Sequence, residues 1–235
     1  MVSFGDVQRL NLGYVIKPAE ATGTGRPQVV PILAYFIEHP DGGVLFDAGV
    51  APLDPETEAR FRPHRIPLPE ALEGIGKALS DVRVVVLCHM HFDHVGDMSQ
   101  LIGRPVVVQR VEHEQAKAPG YTVPGLAEDD TISWELVDGE EELMEGLRIL
   151  PTPGHTDGHQ SLVVRADEGA LVLAGQAFDT ASAYSEAYLN HAVITRAEDG
   201  SDLDLPYPEW MGRLQEFQPS VVLFAHDLPM WTTAS

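Results

Sequence analysis

"VRVVVLCHMHFDH", residues 82–94, joins a short, β-branched, almost continuously apolar run to three histidines and one aspartate within six positions. The apolar run reads as a buried strand over 82–88, so the polar cluster hangs from the end of a core element. Alternate residues of extended chain face the same way, which lets His89 and His91 converge on one ion. Asp93 and His94 follow where the chain turns and a helix over 94–102 is expected to start, so they can face a second ion beside the first. Four such side chains would be costly to bury unpaired, and a bound cation removes that cost.

Two further strands end in the same way. "LRILPTPGH" delivers His155 after a strand at 147–150, and "SVVLFAHD" delivers His226 after one at 220–225. Ligands meeting at the ends of separate strands are how an αβ fold assembles a site. Five histidines and one aspartate favour a borderline divalent ion, zinc above all, over calcium or magnesium. The expected partition is His89, His91 and His155 on one ion, with Asp93, His94 and His226 on the other. Three protein ligands per ion leave room for water, the pattern of catalytic zinc, and a hydroxide shared by two ions would be the nucleophile. His39, His64, His113 and His191 read as ordinary surface or packing residues.

Around these positions the chain reads as alternating strands and helices. Strands are expected at 29–38 and 43–49, joined through "HPDGG" as an antiparallel hairpin, and at 105–110, 132–137, 160–165 and 169–175. Helices are expected at 67–80, 111–117, 180–191 and 208–217. No repeat or long linker divides the 235 residues, so one domain spanning 1–235, with sheets inside and helices outside, is the economical reading. The segments 119–131 and 195–206 are the candidate loops over the site, and Leu53, Phe61 and Ile66 are candidate pocket walls.

Fifteen basic against thirty-six acidic residues leave a formal charge of −21, which repels phosphate backbones and anionic lipid surfaces. Neither nucleic acid nor membrane is an expected partner. The single cysteine, Cys88, excludes an internal disulfide, and no leader-like or membrane-length apolar run is visible. A cytoplasmic location is the default expectation.

The motifs "HMHFDH", "TPGHTDGHQSL" and "FAHD" together resemble the metallo-β-lactamase superfamily, and specifically its N-acyl-homoserine lactone lactonase branch. The likeness runs from "GVLFDAG" through "QRVEHEQA" to His226. It implies an α/β fold, the αβ/βα four-layer sandwich, with a dinuclear metal centre along one edge of the sheets. It also implies that Asp47 orients a metal-bound histidine. A lactone or related ester is the implied substrate and quorum quenching the implied role. Metal-bound hydroxide would attack the carbonyl, and Asp93 would relay a proton to the leaving alkoxide.

Two positions depart from that family pattern. Gln176, in "LVLAGQAFD", stands where the family carries an aspartate bridging both ions, and Asp179 stands where lactonases carry a tyrosine that contacts the substrate carbonyl. Three arrangements follow. Gln176 lies beside the ions while hydroxide alone bridges them, or Asp179 reaches back as a ligand, or the second site is weak and the centre mononuclear or degenerate. Tyr184, or Tyr188, would replace the missing hydroxyl. The alternatives to a lactonase are a thioester hydrolase of the glyoxalase II type and a metal-binding or sensing protein without turnover.

Overall fold

In a computed structural model, which describes residues 2–196 and 204–233, the strand that precedes the histidine cluster is β5 (Val82–Val86), and it is buried on both faces. Val84 and Val86 point into the interface between two sheets, while Val85 and Leu87 point away from it toward a helix-covered core. That two-sided burial is why the stretch is nearly all apolar.

The first sheet contains β1 (Val7–Lys17), β2 (Gln28–Ile37), β3 (Gly43–Phe46), β4 (His64–Arg65), β5, β6 (Pro105–Gln109) and β7 (Ser133–Val137), in the order β4-β1-β2-β3-β5-β6-β7. Its β3, β5, β6 and β7 run parallel, and the β4-β1-β2-β3 portion is antiparallel. The second sheet contains β8 (Glu141–Met144), β9 (Leu147–Pro151), β10 (Gln160–Ala166), β11 (Gly169–Leu173), β12 (Pro219–Leu223) and β13 (Trp231–Thr232), in the order β13-β12-β11-β10-β9-β8. Tyr35, Phe46, Val86 and Val107 of the first sheet meet Ile149, Leu162, Leu173 and Leu223 of the second in one inter-sheet core.

Helices cover the two outer faces. Leu68 and Leu72 of α2 (Leu68–Glu73) pack on the first sheet, where α1 (Pro55–Phe61) and α3 (Arg110–Gln115) also lie against β1 and β6. Tyr184 and Ala187 of α4 (Ala181–Arg196), with Met211 and Leu214 of α5 (Met211–Gln215), pack on the second. The result is the four-layer αβ/βα sandwich. Among the described residues no helix is long and apolar enough to cross a membrane.

All nine expected strands are present, and the 43–49 segment leaves its sheet after Phe46 because Asp47 adopts φ +62. The helix expected over 94–102 does not form. Gly96 sits at φ +63 with its N–H on the Gly49 carbonyl, and a Cβ there would meet the Ala48 carbonyl oxygen at 2.3 Å. Only a short 3-10 turn, Met98–Leu101, follows Asp97. The 67–80 segment is likewise shorter, one α-helix ending at Glu73 before a turn. Strand β1 escaped the sequence reading because its alternation breaks at Gly13, where the register with β2 shifts between Asn11 and Tyr14. Helix α1 did have a readable signal: Asp54 caps the N–H groups of Glu56 and Thr57, and Pro55 occupies the first turn. Of the expected 195–206 loop, residues 197–203 lie outside those described, and Arg196 still belongs to α4.

Glu140 ties the layers together at one corner. Its carboxylate accepts from Arg213 of α5 at 2.7 and 2.9 Å and from Arg148 of β9 at 2.9 Å. The Arg213 hydrogen bonds, against a smaller cost of burial, bring its pKa from 4.5 down to about 2. A depressed folded-state pKa stabilises the fold above about pH 4.5 and ceases to do so as pH falls toward 2. Glu140→Gln should therefore lower stability by about 1 kcal/mol at pH 7, and by progressively less below pH ~4.5, in urea titrations at several pH values.

Candidate metal centre

The loop after β5 carries His89, His91, Asp93 and His94 across the edge of the two sheets, and β9 and β12 bring His155 and His226 to the same place. His91 Nδ1 lies 3.0 Å from His89 Nε2 and 3.1 Å from His155 Nε2. On the other side His94 Nε2 and His226 Nε2 are 3.1 Å apart, with Asp93 oxygens 3.9 and 3.6 Å from them. The structure thus assembles two adjacent trios, His89/His91/His155 and Asp93/His94/His226, each with its ligand-type atoms within 4.8 Å of one another.

The second trio has a readable protonation pattern. His94 Nδ1 faces a carboxylate oxygen of Asp47 at 3.0 Å, and His226 Nδ1 faces the Pro31 carbonyl at 3.0 Å. Those oxygens only accept, so both Nδ1 atoms carry a hydrogen and both Nε2 atoms are turned toward each other. Gln176 Oε1 adds a further lone pair 3.2 Å from each. A cation among these donors relieves the crowding.

Burial dominates the titration of the histidines. It pushes His226 and His155 down to about 4, helped in each case by neighbouring histidines, and holds His89 well below its ordinary value. Burial also opposes a charged His94, but Asp47 and Asp93 outweigh it and raise that pKa. For Asp93 burial raises the carboxyl, and His94, His226 and His91 more than reverse it, leaving an anion. The Cys88 thiol is pushed up by burial and by Asp47, so it stays protonated behind His89 and His94, 3.1 and 3.3 Å from their Nδ1 atoms.

The remaining sequence candidates separate cleanly. Asp47, buried, also accepts from the Cys88 N–H at 2.8 Å. Gln176 faces the second trio, whereas Asp179 stands outside both, exposed, with its carboxylate 2.9 Å from Gln176 Nε2 and 3.9 Å from Lys17 Nζ. Tyr184 is no substrate contact. It is fully buried under α4 against Phe178, Phe224 and Trp231, because a ring on the sheet-facing side of an amphipathic helix goes into the core, and Tyr188 packs on Trp231 beside it. His39, His64, His113 and His191 lie outside both trios.

Two residues escaped the sequence reading. His159 is fully buried; its Nε2 accepts from the Gln176 N–H at 3.1 Å while Nδ1 meets Thr152 Oγ1 at 2.8 Å. The second histidine of "GHTDGHQ" was its only signal. Glu112, also fully buried, accepts from the Met90 N–H at 2.8 Å, the Tyr121 hydroxyl at 2.6 Å and the Thr156 hydroxyl at 2.7 Å. It thereby binds together the loops bearing His91 and His155 and the 119–131 segment, whose Tyr121 ring lies 5.0 Å from His91.

A cavity of about 330 Å³ opens beside the trios, lined by Val15, Phe61 and Phe92, by Lys17 and Arg60, and by His91, Asp93, Tyr121, His155 and Gln176. Phe61 is a wall as expected; Leu53 packs into the core under the first sheet, and Ile66 borders a separate hollow near Ala48.

This arrangement agrees with the family comparison. Residues 27–226 match the metallo-beta-lactamase superfamily, and the chain belongs to it. Among curated relatives, an N-acyl homoserine lactonase from a Bacillus species is 26% identical over 212 residues, covering 85% of this chain and 82% of that protein. One from Bacillus cereus is 27% identical over 218 residues with the same coverage. The fold matches that of B. thuringiensis AiiA with N-decanoyl-L-homoserine bound at its active site, at TM-score 0.72 and 22% identity, covering 97% of this chain and 94% of the other. An N-acyl homoserine lactone hydrolase with N-hexanoyl-L-homoserine bound at its catalytic metal centre matches with TM-score 0.72, 21% identity and the same coverage. The superfamily's metal fits the residues present here, since two sets of imidazole nitrogens and one anionic oxygen converge, and the outer nitrogens of His94 and His226 are already engaged.

Glu112→Ala should cost about 3–5 kcal/mol in urea unfolding, because two buried donors and the half-buried Tyr121 hydroxyl lose their acceptor together. Glu112→Gln, which keeps an oxygen toward Met90 and Tyr121, should cost less than half of that.

Proposed function

We propose that the chain is a metal-dependent hydrolase that opens a lactone or related ester, with N-acyl-homoserine lactones as the first candidates and quorum quenching as the corresponding role. The observation that supports this most is the pair of trios bordering a cavity with both apolar and cationic walls. The curated relatives named N-acyl homoserine lactonase point to the same substrate class. His89, His91 and His155 would hold one divalent ion and Asp93, His94 and His226 a second; the imidazole-rich donor set suits zinc.

When bound, such ions supply a nucleophile at neutral pH and polarise the carbonyl under attack. The protein's own part is positioning and proton handling. Val15, Phe61 and Phe92 offer an apolar wall for an acyl chain, and Lys17 and Arg60 offer donors to the polar end of the substrate or to the carboxylate that ring opening creates. Asp93 borders the cavity and is held as an anion by the histidines around it, so its oxygen can take up a proton and pass it to the departing alkoxide. Tyr121, whose hydroxyl donates to Glu112, shapes the wall beside His91 without freeing that proton for catalysis.

Zinc-loaded protein should open N-acyl-homoserine lactones, releasing one acid equivalent per turnover in a pH-stat, across short, long and aromatic acyl groups tested in parallel. Asp93→Asn should lower kcat by about 10²-fold or more, since it removes both the anionic ligand and the proton carrier. If no lactone opened while a glutathione thioester was cleaved, the assignment would move to a thioester hydrolase.

A further inference from the structure

We infer that Gln176 is itself a ligand, giving its side-chain carbonyl oxygen to the ion held by Asp93, His94 and His226, and that Asp179 is a positioning residue that holds the amide in this orientation. The inference rests on the metal-centre reading and assigns a part to the two positions at which the chain departs from its family's pattern.

An amide has two chemically different ends, and here each has a distinct neighbour. Nε2 donates to Asp179 Oδ1 at 2.9 Å, and a carboxylate accepts only hydrogen. Oε1 is therefore the end that faces inward, 3.2 Å from His94 Nε2 and from His226 Nε2. Each ring engages an outer acceptor through Nδ1, His94 with Asp47 and His226 with the Pro31 carbonyl, so both Nε2 atoms and the amide oxygen converge on one point. Gln176 is buried, and its inward oxygen has two imidazole nitrogens for neighbours, with the Asp93 carboxylate beside them. A divalent cation shared by the oxygen, the two nitrogens and Asp93 satisfies all of them at once.

The backbone holds the residue in place as firmly as the side chain does. Gly175 adopts φ +56, and a Cβ there would meet Cys88 Cβ at 2.4 Å; the Gln176 N–H is fixed by His159 Nε2 at 3.1 Å. His159 is in turn fixed by Thr152, whose hydroxyl meets Ser161 Oγ at 2.8 Å. Lys17 Nζ, 3.9 Å from Asp179 Oδ1, favours the carboxylate form that the amide needs as its acceptor. The donor set at this ion then has four members with one anion, Asp93, so its affinity depends on the Gln176 oxygen, whereas that of the ion held by three imidazoles does not.

The test is a zinc titration of metal-free protein with a competing chromophoric chelator, together with the visible spectrum of the cobalt(II)-loaded form. Wild type should bind two equivalents of unequal affinity. Gln176→Leu should weaken the equivalent held by Asp93, His94 and His226, taken here as the second equivalent, by about tenfold or more and change the cobalt bands, leaving the other equivalent unaltered. Asp179→Ala should weaken the same equivalent by a smaller factor, with no further loss when combined with Gln176→Leu. Should Gln176→Leu fail to fold, the paired exchange Gln176→Glu/Asp179→Asn keeps the side-chain contact, places an anion toward the ion and should tighten the second equivalent by at least about tenfold. Unchanged affinity and cobalt spectrum in Gln176→Leu, or in the paired exchange, would overturn the assignment while leaving the two-ion reading intact. Fewer than two equivalents in wild type, unrestored by the paired exchange, would overturn both.

Discussion

Both oxygens of a buried carboxylate, Asp47, are engaged by the loop that carries most of the site: one accepts from the Cys88 N–H and the other from His94 Nδ1. A carboxylate buried this deeply must find donors, and these two lie at either end of the histidine-rich segment. The left-handed backbone of Asp47 ends β3 and turns the chain so that its side chain reaches across to the end of β5. Because β3 and β5 are neighbouring parallel strands, their ends lie side by side, and a short side chain spans the gap. From this one contact follow the tautomer of His94, the direction of its Nε2 and the shape of the second trio.

The same logic repeats around the centre. Glu112 gathers the loops that bear His91 and His155, Pro31 fixes His226 through its carbonyl, and His159 fixes the backbone of Gln176. Where the outer contact is to a ring nitrogen, as at His94 and His226, the other nitrogen is thereby aimed inward. Burial then keeps most of the histidines neutral, while Asp47, Asp93 and Glu112 put acidic groups close by. A cation-seeking site arises from positional restraint more than from overall charge, although the acidic surface of the protein does not oppose it.

Much of the fold is legible in the sequence. The core strands are short apolar runs bounded by turn residues, and nine of them are where pattern places them. The elements that eluded that reading have local physical causes. Gly13 breaks the alternation of β1, and Gly96 replaces a helical turn with a left-handed residue pressed against the Ala48 carbonyl, a contact forty-eight positions away in sequence that no local pattern encodes. Tyr184 has the right chemistry for a substrate contact, but the packing of α4 on the second sheet takes it into the core.

The sequence by itself determined the chemical inventory: imidazoles and a carboxylate at the ends of buried strands, a cluster too dense to be accidental, and the two positions, 176 and 179, that set this chain apart from its relatives. Residue types and strand periodicity are local properties, so they can be read locally. Only the tertiary structure decided which atoms face which, namely that Glu112 and His159 support the two trios, and that the Gln176 amide turns its oxygen inward because Asp179 holds its nitrogen. Those facts depend on contacts between residues far apart in the chain, and hydrogen-bond direction is fixed by the partner, which folding alone supplies.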